Sequence, residues 1–373
     1  MRAGTQPDGG AVAGARADGV RGTIIGMRPR VTFLVTYPRE VDPAREAVAQ
    51  DIAGLLTRVD GRRIHISPPE RLRRIFPERL FGLWQLPALR RIEAETDVFH
   101  LFHGGLRNFP LLARLRRPIV YSLVAGLRSD RPVDARPIGA RVSLTVSGPR
   151  DAALARTWGA TRVTTLRPGI DLARFPRAAV QAYSPGDPFK VVIASAPWSE
   201  IDFARKGVDA LLDAAGADAC LRLTFLWRGR LIDAMRARVA ARGLAERVKA
   251  IDARVDMAAT LADAHAAALL VGDGTIVKAH PNSLMEALVV GRPVLLSTQI
   301  SMSDEIREEG SGIVTPGATL ADARDGLNHL MANYADYAGR AQALPPERYS
   351  RERWLDETVA LYSDVVKAQG RQK

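Results

Sequence analysis

Two doubly wound α/β domains in tandem are the architecture this sequence predicts, on three observations. Short apolar, β-branched runs alternate with stretches of helical periodicity, the signature of parallel sheets flanked by helices. The alternation pauses at Arg167-Pro-Gly-Ile-Asp171 and through Tyr183-Ser-Pro-Gly-Asp-Pro188, then restarts, and Pro and Gly at that density mark a boundary. The chain has 373 residues, 47% of them hydrophobic, which suits two cores better than one.

Taken in order, residues 1–27 are rich in Ala, Gly and Arg and have no apolar period. They lack the continuous apolar core of a secretory signal and read as a disordered tail, or as sequence upstream of a start at Met27. Arg30 to Tyr37, ended by Pro38, predicts a first parallel strand. Pro43 to Val59 predicts a helix, with Ala44, Ala47, Val48, Ile52 and Leu55 or Leu56 at helical spacing. A buried strand over 97–103 runs into Gly104-Gly105. Strands over 118–124 and 142–146 follow, with a helix over 151–158. The second set opens with a strand over 189–194 and a helix over 207–215. It continues with strands over 221–227, 248–251, 267–271 and 293–297, and helices over 231–242, 257–266 and 283–290. Two such sheets leave a cleft at their carboxyl ends, where ligands bind in these folds.

Composition narrows the function classes. Cys220 is the one cysteine, so no internal disulfide forms; no Cys/His spacing suggests zinc, and the expected compartment is the cytoplasm. No run of eighteen apolar residues predicts a membrane span. The net charge of +12 is unevenly placed. Residues 1–180 hold 30 Arg, no Lys and 16 acids, whereas residues 181–373 hold 23 basic and 25 acidic residues. A basic half beside a near-neutral one predicts that the first domain faces something anionic. No nucleic-acid reading motif is present, so an anionic membrane surface or a phosphorylated acceptor fits better than nucleic acid. The stretch from Arg71 to Trp84 mixes Arg with Leu, Ile, Phe and Trp and could lie on anionic lipid, although Pro77 and Gly82 oppose one long helix.

Two motifs carry chemistry. In His280-Pro-Asn-Ser-Leu-Met-Glu-Ala-Leu-Val-Val-Gly-Arg-Pro-Val294, Ser283 and Glu286 match a capping box, while Gly291 and Pro293 stop the helix and begin a strand. The same helix start offers free amides to a phosphate, with Glu286 accepting from hydroxyls. Arg205-Lys206-Gly207 is expected to open another helix. Cations there oppose the helix dipole unless the side chains are solvated or a diphosphate binds them.

The order and spacing of these pieces resemble glycosyltransferase family 4, retaining enzymes of the GT-B fold. Arg167-Pro-Gly-Ile-Asp-Leu-Ala-Arg-Phe175 resembles that family's P-x-G-x-D-x-x-x-F segment between the domains. Lys206-Gly-Val-Asp-Ala-Leu-Leu212 resembles its K-G-x-x-x-L-L segment, whose lysine contacts the donor diphosphate. Pro281 to Val294 resembles its P-N-S-L-x-E-A-L-x-x-G-x-P-V signature, and Ser311-Gly-Ile-Val314 the G-x-x-V turn after it. Arg353-Trp354 with Tyr362 resembles the terminal helix that crosses back to the first domain. The likeness runs from about Arg30 onward, strong in the second half and weak in the first.

Departures accompany it. Where the family carries two glutamates eight positions apart, this chain has Lys278 and Glu286. Ser195-Ala-Pro-Trp198 stands where an arginine is usual, and Thr36-Tyr-Pro-Arg-Glu40 where a glycine pair is usual. The family's histidine is absent at Ser122; His103, one strand earlier, is the nearest candidate, although a histidine at a strand end also has a structural account.

The resemblance implies a GT-B enzyme with an acceptor domain over 28–180, a nucleotide-sugar donor domain over 186–345 and a returning helix over 346–373. His103, Lys206 and Lys278 are the catalytic candidates. Lys206, Lys278, Pro281, Asn282, Ser283, Leu284 and Glu286 are the donor-binding candidates. No cofactor or metal is expected, the nucleotide sugar being a substrate. The implied setting is cell-envelope glycan or glycolipid synthesis, with an anionic or lipid-linked acceptor and peripheral contact at the inner membrane face. Lys278 could pair with a carboxylate on the donor sugar, take diphosphate charge, or mark a GT-B domain that binds without transferring. A nucleotide-sugar epimerase or phosphorylase of the same fold is a further alternative.

Overall fold

A computed structural model describes residues 28–37, 43–69, 72, 75–139, 141–228 and 230–371. The expectations for 1–27, for Pro38 and for Arg71, Arg73 and Arg74 lie outside the described residues. Two six-stranded parallel sheets form the frame. The first comprises β1 (Arg30–Val35), β2 (Asp60–His65), β3 (Val98–His103), β4 (Ile119–Leu123), β5 (Val142–Val146) and β6 (Val163–Thr165), in the order β2-β1-β3-β4-β5-β6. The second comprises β7 (Phe189–Ile193), β8 (Leu221–Leu226), β9 (Val248–Ile251), β10 (Ala266–Leu269), β11 (Val294–Ser297) and β12 (Gly312–Thr315), in the order β12-β11-β10-β7-β8-β9.

Central strands are buried on both faces, as β3, β5, β10 and β11 are along their length, which is why they are mainly apolar, with buried polar side chains such as His100 and Thr145 hydrogen-bonded. Strand order reverses between β1 and β3 in one sheet and between β7 and β10 in the other. At such a reversal the flanking connections leave in opposite directions and open a crevice at the carboxyl ends.

The structure corrects several expectations. β2, Asp-Gly-Arg-Arg-Ile-His, went unread: it is an edge strand paired only with β1 and half exposed, so its sequence is polar. β6 is three residues long and pairs only with β5. The 311–314 segment, expected as a turn, supplies β12. The helix expected over 257–266 ends at Ala262 and β10 begins at Ala266. Alanine suits both states, so an alanine-rich run carries no boundary. Between Pro77 and Trp84 the chain forms two 3-10 turns separated by Gly82 at φ 77°, with Phe81 buried in the core.

The last helix, Arg351–Gly370, packs on the first sheet. Its Trp354, Leu355, Tyr362 and Val365 join Val31, Phe33, Ile52 and Val98 in one apolar cluster. Tyr362 Oη lies 2.5 Å from His100 Nδ1, and His100 Nε2 lies 2.7 Å from Ser122 Oγ, which meets Thr145 at 2.6 Å. This buried chain satisfies each hydroxyl and ties the helix across β3, β4 and β5. Among the described residues no helix is long and apolar enough to cross a membrane.

Candidate active site

A cavity of about 450 Å³ opens at the β7/β10 reversal. Its floor is the chain leaving β7, β8 and β10; helix Pro43–Leu56 of the first sheet closes it with Glu46, Ala47 and Gln50. Lys206 reaches it from between two helices. As expected it directly precedes a helix, Val208–Ala217, whose N-cap is Gly207 at φ 61°; it also caps the carboxyl end of a short helix, Ile201–Arg205. The cation agrees with the dipole of the five-residue helix before it and opposes that of the ten-residue helix after it. The five-residue turn was too short to read from periodicity.

Lys206 is 6% exposed and its Nζ donates to Ala196 O at 2.8 Å. Asp202, the nearby acid, is occupied by the Trp198 and Ser199 amides and the Ser199 hydroxyl. Burial pushes the ammonium down to about 8, with Asp202 opposing the shift. A buried ammonium held only by a carbonyl is a costly arrangement in the absence of an anion.

Helix Asn282–Val290 supplies the opposite wall. The capping box does not form: Pro281 is the N-cap, no side chain caps the turn, and Ser283 lies inside the helix. The helix starts one residue earlier than expected. Ser283 and Glu286 therefore share one face and both line the cavity, with Pro281 and Asn282. The first amides are left without intrahelical partners. Glu286 thus loses its structural account. Burial pushes its carboxyl up to about 7, against the pull of Arg174, Lys278 and Arg228. Leu284 turns its side chain into the core and is not among the residues lining the cavity.

Lys278 also lines this cavity, but its charge is already answered. Nζ lies 3.3 Å from Asp51 Oδ2, from the first-sheet side, and donates to Asn282 Oδ1 at 3.1 Å. Its main chain bridges to Ala125, and the Ala279 amide donates to Val124 O.

His103 sits elsewhere. It ends β3 and lines a second cavity of about 580 Å³ at the β1/β3 reversal. Nδ1 lies 2.6 Å from Gly105 O and Nε2 3.1 Å from Glu78 Oε1. The three catalytic candidates are therefore divided, two lysines in one cavity and the histidine in the other. The cavities share a seam: Arg45 and Val48 face one and Glu46 and Ala47 the other, while Thr275 and Ile276 divide likewise.

No protein-family model matches the chain, and no curated protein matches it. Solved structures do match. Sucrose-phosphate synthase from Thermosynechococcus elongatus superposes with TM-score 0.67 at 13% identity, over 91% of this chain and 100% of that one. HepE from Anabaena, solved in complex with UDP, gives 0.65 at 15%, over 90% and 100%. WaaG, a glycosyltransferase involved in lipopolysaccharide biosynthesis, gives 0.62 at 14%, over 89% and 99%. The fold is GT-B.

Facing cavities at the two sheet reversals are the cleft of this GT-B fold, and several of its residues escaped the sequence reading. Arg228, just past β8, and Arg254, past β9, line the first cavity and lie 2.8 and 3.5 Å from the two oxygens of Glu46. Arg174, inside the quoted 167–175 segment, points there too. Their position at strand carboxyl ends was the available signal. Five cations thus face the carboxyls Glu46 and Glu286 on this wall, a field suited to a polyanion.

Proposed function

We propose that the protein is a retaining glycosyltransferase of the family 4 type, moving a sugar from a nucleotide donor in the first cavity onto an acceptor in the second. The observation that carries this reading is Lys206, a buried ammonium at the sheet reversal whose one hydrogen-bond partner among the described residues is a carbonyl. Transfer builds charge on the departing diphosphate. Lys206, Arg228 and the uncapped amides of Asn282 and Ser283 are the groups that would stabilise it, without a divalent ion. Glu286, as the resemblance implies, orients the ribose hydroxyls. In this reading 28–180 takes the acceptor, 186–345 the donor, and 346–373 holds the first domain.

The test is a thermal-shift screen of UDP-, GDP-, ADP- and dTDP-sugars on wild type, Lys206→Ala, Lys278→Glu and Glu286→Ala. UDP-sugars lead the screen because HepE was solved with UDP and with UDP-glucose. One nucleotide sugar is expected to stabilise wild type and lose its effect in Lys206→Ala. If none shifts the melting point, the donor-site reading fails. The Lys278–Asp51 pair favours a second reading, a domain that binds donor without transferring it; sustained nucleotide release from a bound donor would rule that out.

A setting in envelope glycan or glycolipid synthesis at the inner membrane face extends the proposal. Ile75 at 77% exposure and Trp84 at 44%, with exposed Leu72, are the apolar contacts it offers to lipid. Co-sedimentation with anionic vesicles at low salt should be at least severalfold above that with neutral vesicles; equal partitioning would remove the membrane contact.

A further inference from the structure

The second cavity carries a chemistry that the donor reading does not use. Arg107, Arg128 and Arg131 line it, and the acid on the same wall, Glu78, already faces two partners: Arg107 Nε at 2.8 Å and His103 Nε2 at 3.1 Å. Arg128 is already engaged, its Nε and Nη2 with Asp130 and its Nη1, at 2.9 Å, with Asp273, itself buried and shared with Arg205. No carboxylate among the described residues pairs with Arg131. Tyr37 lines the same cavity at 6% exposure, and its hydroxyl, itself closed off from solvent, has no hydrogen-bond partner among the described residues. Trp158, half-buried, offers an apolar flank suited to the C–H face of a sugar or polyol ring. Gly104 and Gly105 face open space, with no atom within 4 Å of an added Cβ.

We propose that this cavity binds an acceptor bearing a phosphate ester, its phosphate read by Arg107 and Arg131, with Arg128 fixed beside them by its two carboxylates, and its ring lying between Trp158 and the seam with the first cavity. The inference rests on the proposed transfer reaction and names its acceptor class. Planar guanidinium forks match phosphate oxygens two at a time, which a neutral polyol cannot reproduce. The volume, about 580 Å³, holds a phosphorylated mono- or disaccharide. A ring placed at the seam has its hydroxyls directed at the donor cavity, where the reaction requires them.

Isothermal titration of the full chain tests this with glucose 6-phosphate, a free phosphomonoester, and with glycerophosphoglycerol, the soluble headgroup of a phosphodiester lipid. Glucose and glycerol serve as neutral partners. At least one ester should bind about tenfold or more tightly than its neutral partner, and which one does so distinguishes a free sugar phosphate from a lipid headgroup. Arg131→Ala and, separately, the cavity-filling Gly104→Leu should each weaken that binding about tenfold, whereas Lys206→Ala should not. Esters that bind no better than glucose or glycerol overturn the proposal. So does ester binding that survives both cavity variants and disappears in Lys206→Ala, which would place the anion in the donor cavity. UDP-glucose titrated into the same samples reports on the donor reading alone, so the two failures are distinguishable.

Discussion

Lys206 and Glu286 carry opposite charges into one cavity and meet the same physics: burial drives each toward its neutral form, the ammonium down to about 8 and the carboxyl up to about 7. The carboxyl holds its proton more tightly folded than unfolded, so its contribution to stability is intact below the unfolded value near 4.5. It is lost as pH rises through about 7. A shift of that size corresponds to roughly 3 kcal/mol. Glu286→Gln is therefore expected to melt higher than wild type at pH 8 and no higher at pH 4, measured by calorimetry. For Lys206 the sign reverses, because a depressed amine destabilises the fold while charged, a penalty relieved progressively from about 8 up to the unfolded value near 10.5. A diphosphate needs the charged form, so nucleotide-sugar affinity should fall as pH rises past about 8. Both residues were legible in the motifs, but the reason they are functional was not: in the sequence Glu286 completes a capping box, and only the helix start at Asn282 removes that explanation.

Elements with a strong period were legible to within two or three residues, and those without one were missed or misread. β5 and β9 fall where their β-branched runs place them, over 142–146 and 248–251. β2 is polar because one edge faces water, and helix Ile201–Arg205 spans too little of a turn pattern to register. Between that helix and the next, Gly207 makes the turn that aims Lys206 inward. Its φ is +61°, and an added Cβ would stand 2.6 Å from Leu270 Cβ. Gly207→Ala would therefore meet both backbone strain and a core contact. A loss of about 2–3 kcal/mol is expected in urea unfolding, with weaker nucleotide-sugar binding in the fraction that folds. A loss below about 0.5 kcal/mol would show that the turn tolerates a side chain.

At the scale of the molecule, the two sheets are joined by charges that lie far apart in sequence. Asp51 meets Lys278, Glu46 meets Arg228 and Arg254, and Arg128 meets Asp273. Helix Pro43–Leu56 thereby closes the first cavity with carboxylates that hold its cations in place. The Lys278–Asp51 pair is mostly buried, with side chains 17% and 12% exposed, so breaking it leaves a desolvated charge unmatched. Lys278→Glu, which sets two carboxylates together, should open the cleft, seen as a larger radius of gyration by X-ray scattering. It should also weaken nucleotide-sugar binding about tenfold; adding Asp51→Lys should restore both. If the double exchange stays open, the pair does not govern closure.

Hydrophobic periodicity and Pro/Gly punctuation, both local properties, determined from the sequence alone that the chain forms two parallel α/β sheets with a cleft at their carboxyl ends. The resemblance to family 4 is what implied that Lys206, Pro281, Asn282, Ser283 and Glu286 gather at it. Tertiary structure alone decided which charges meet. It sent His103 to a separate cavity, turned Leu284 into the core, and matched Lys278 with an aspartate 227 positions away. Periodicity reports which face of an element is buried, whereas partners depend on strand order and on how the two sheets close, and neither is written in any local stretch of the chain.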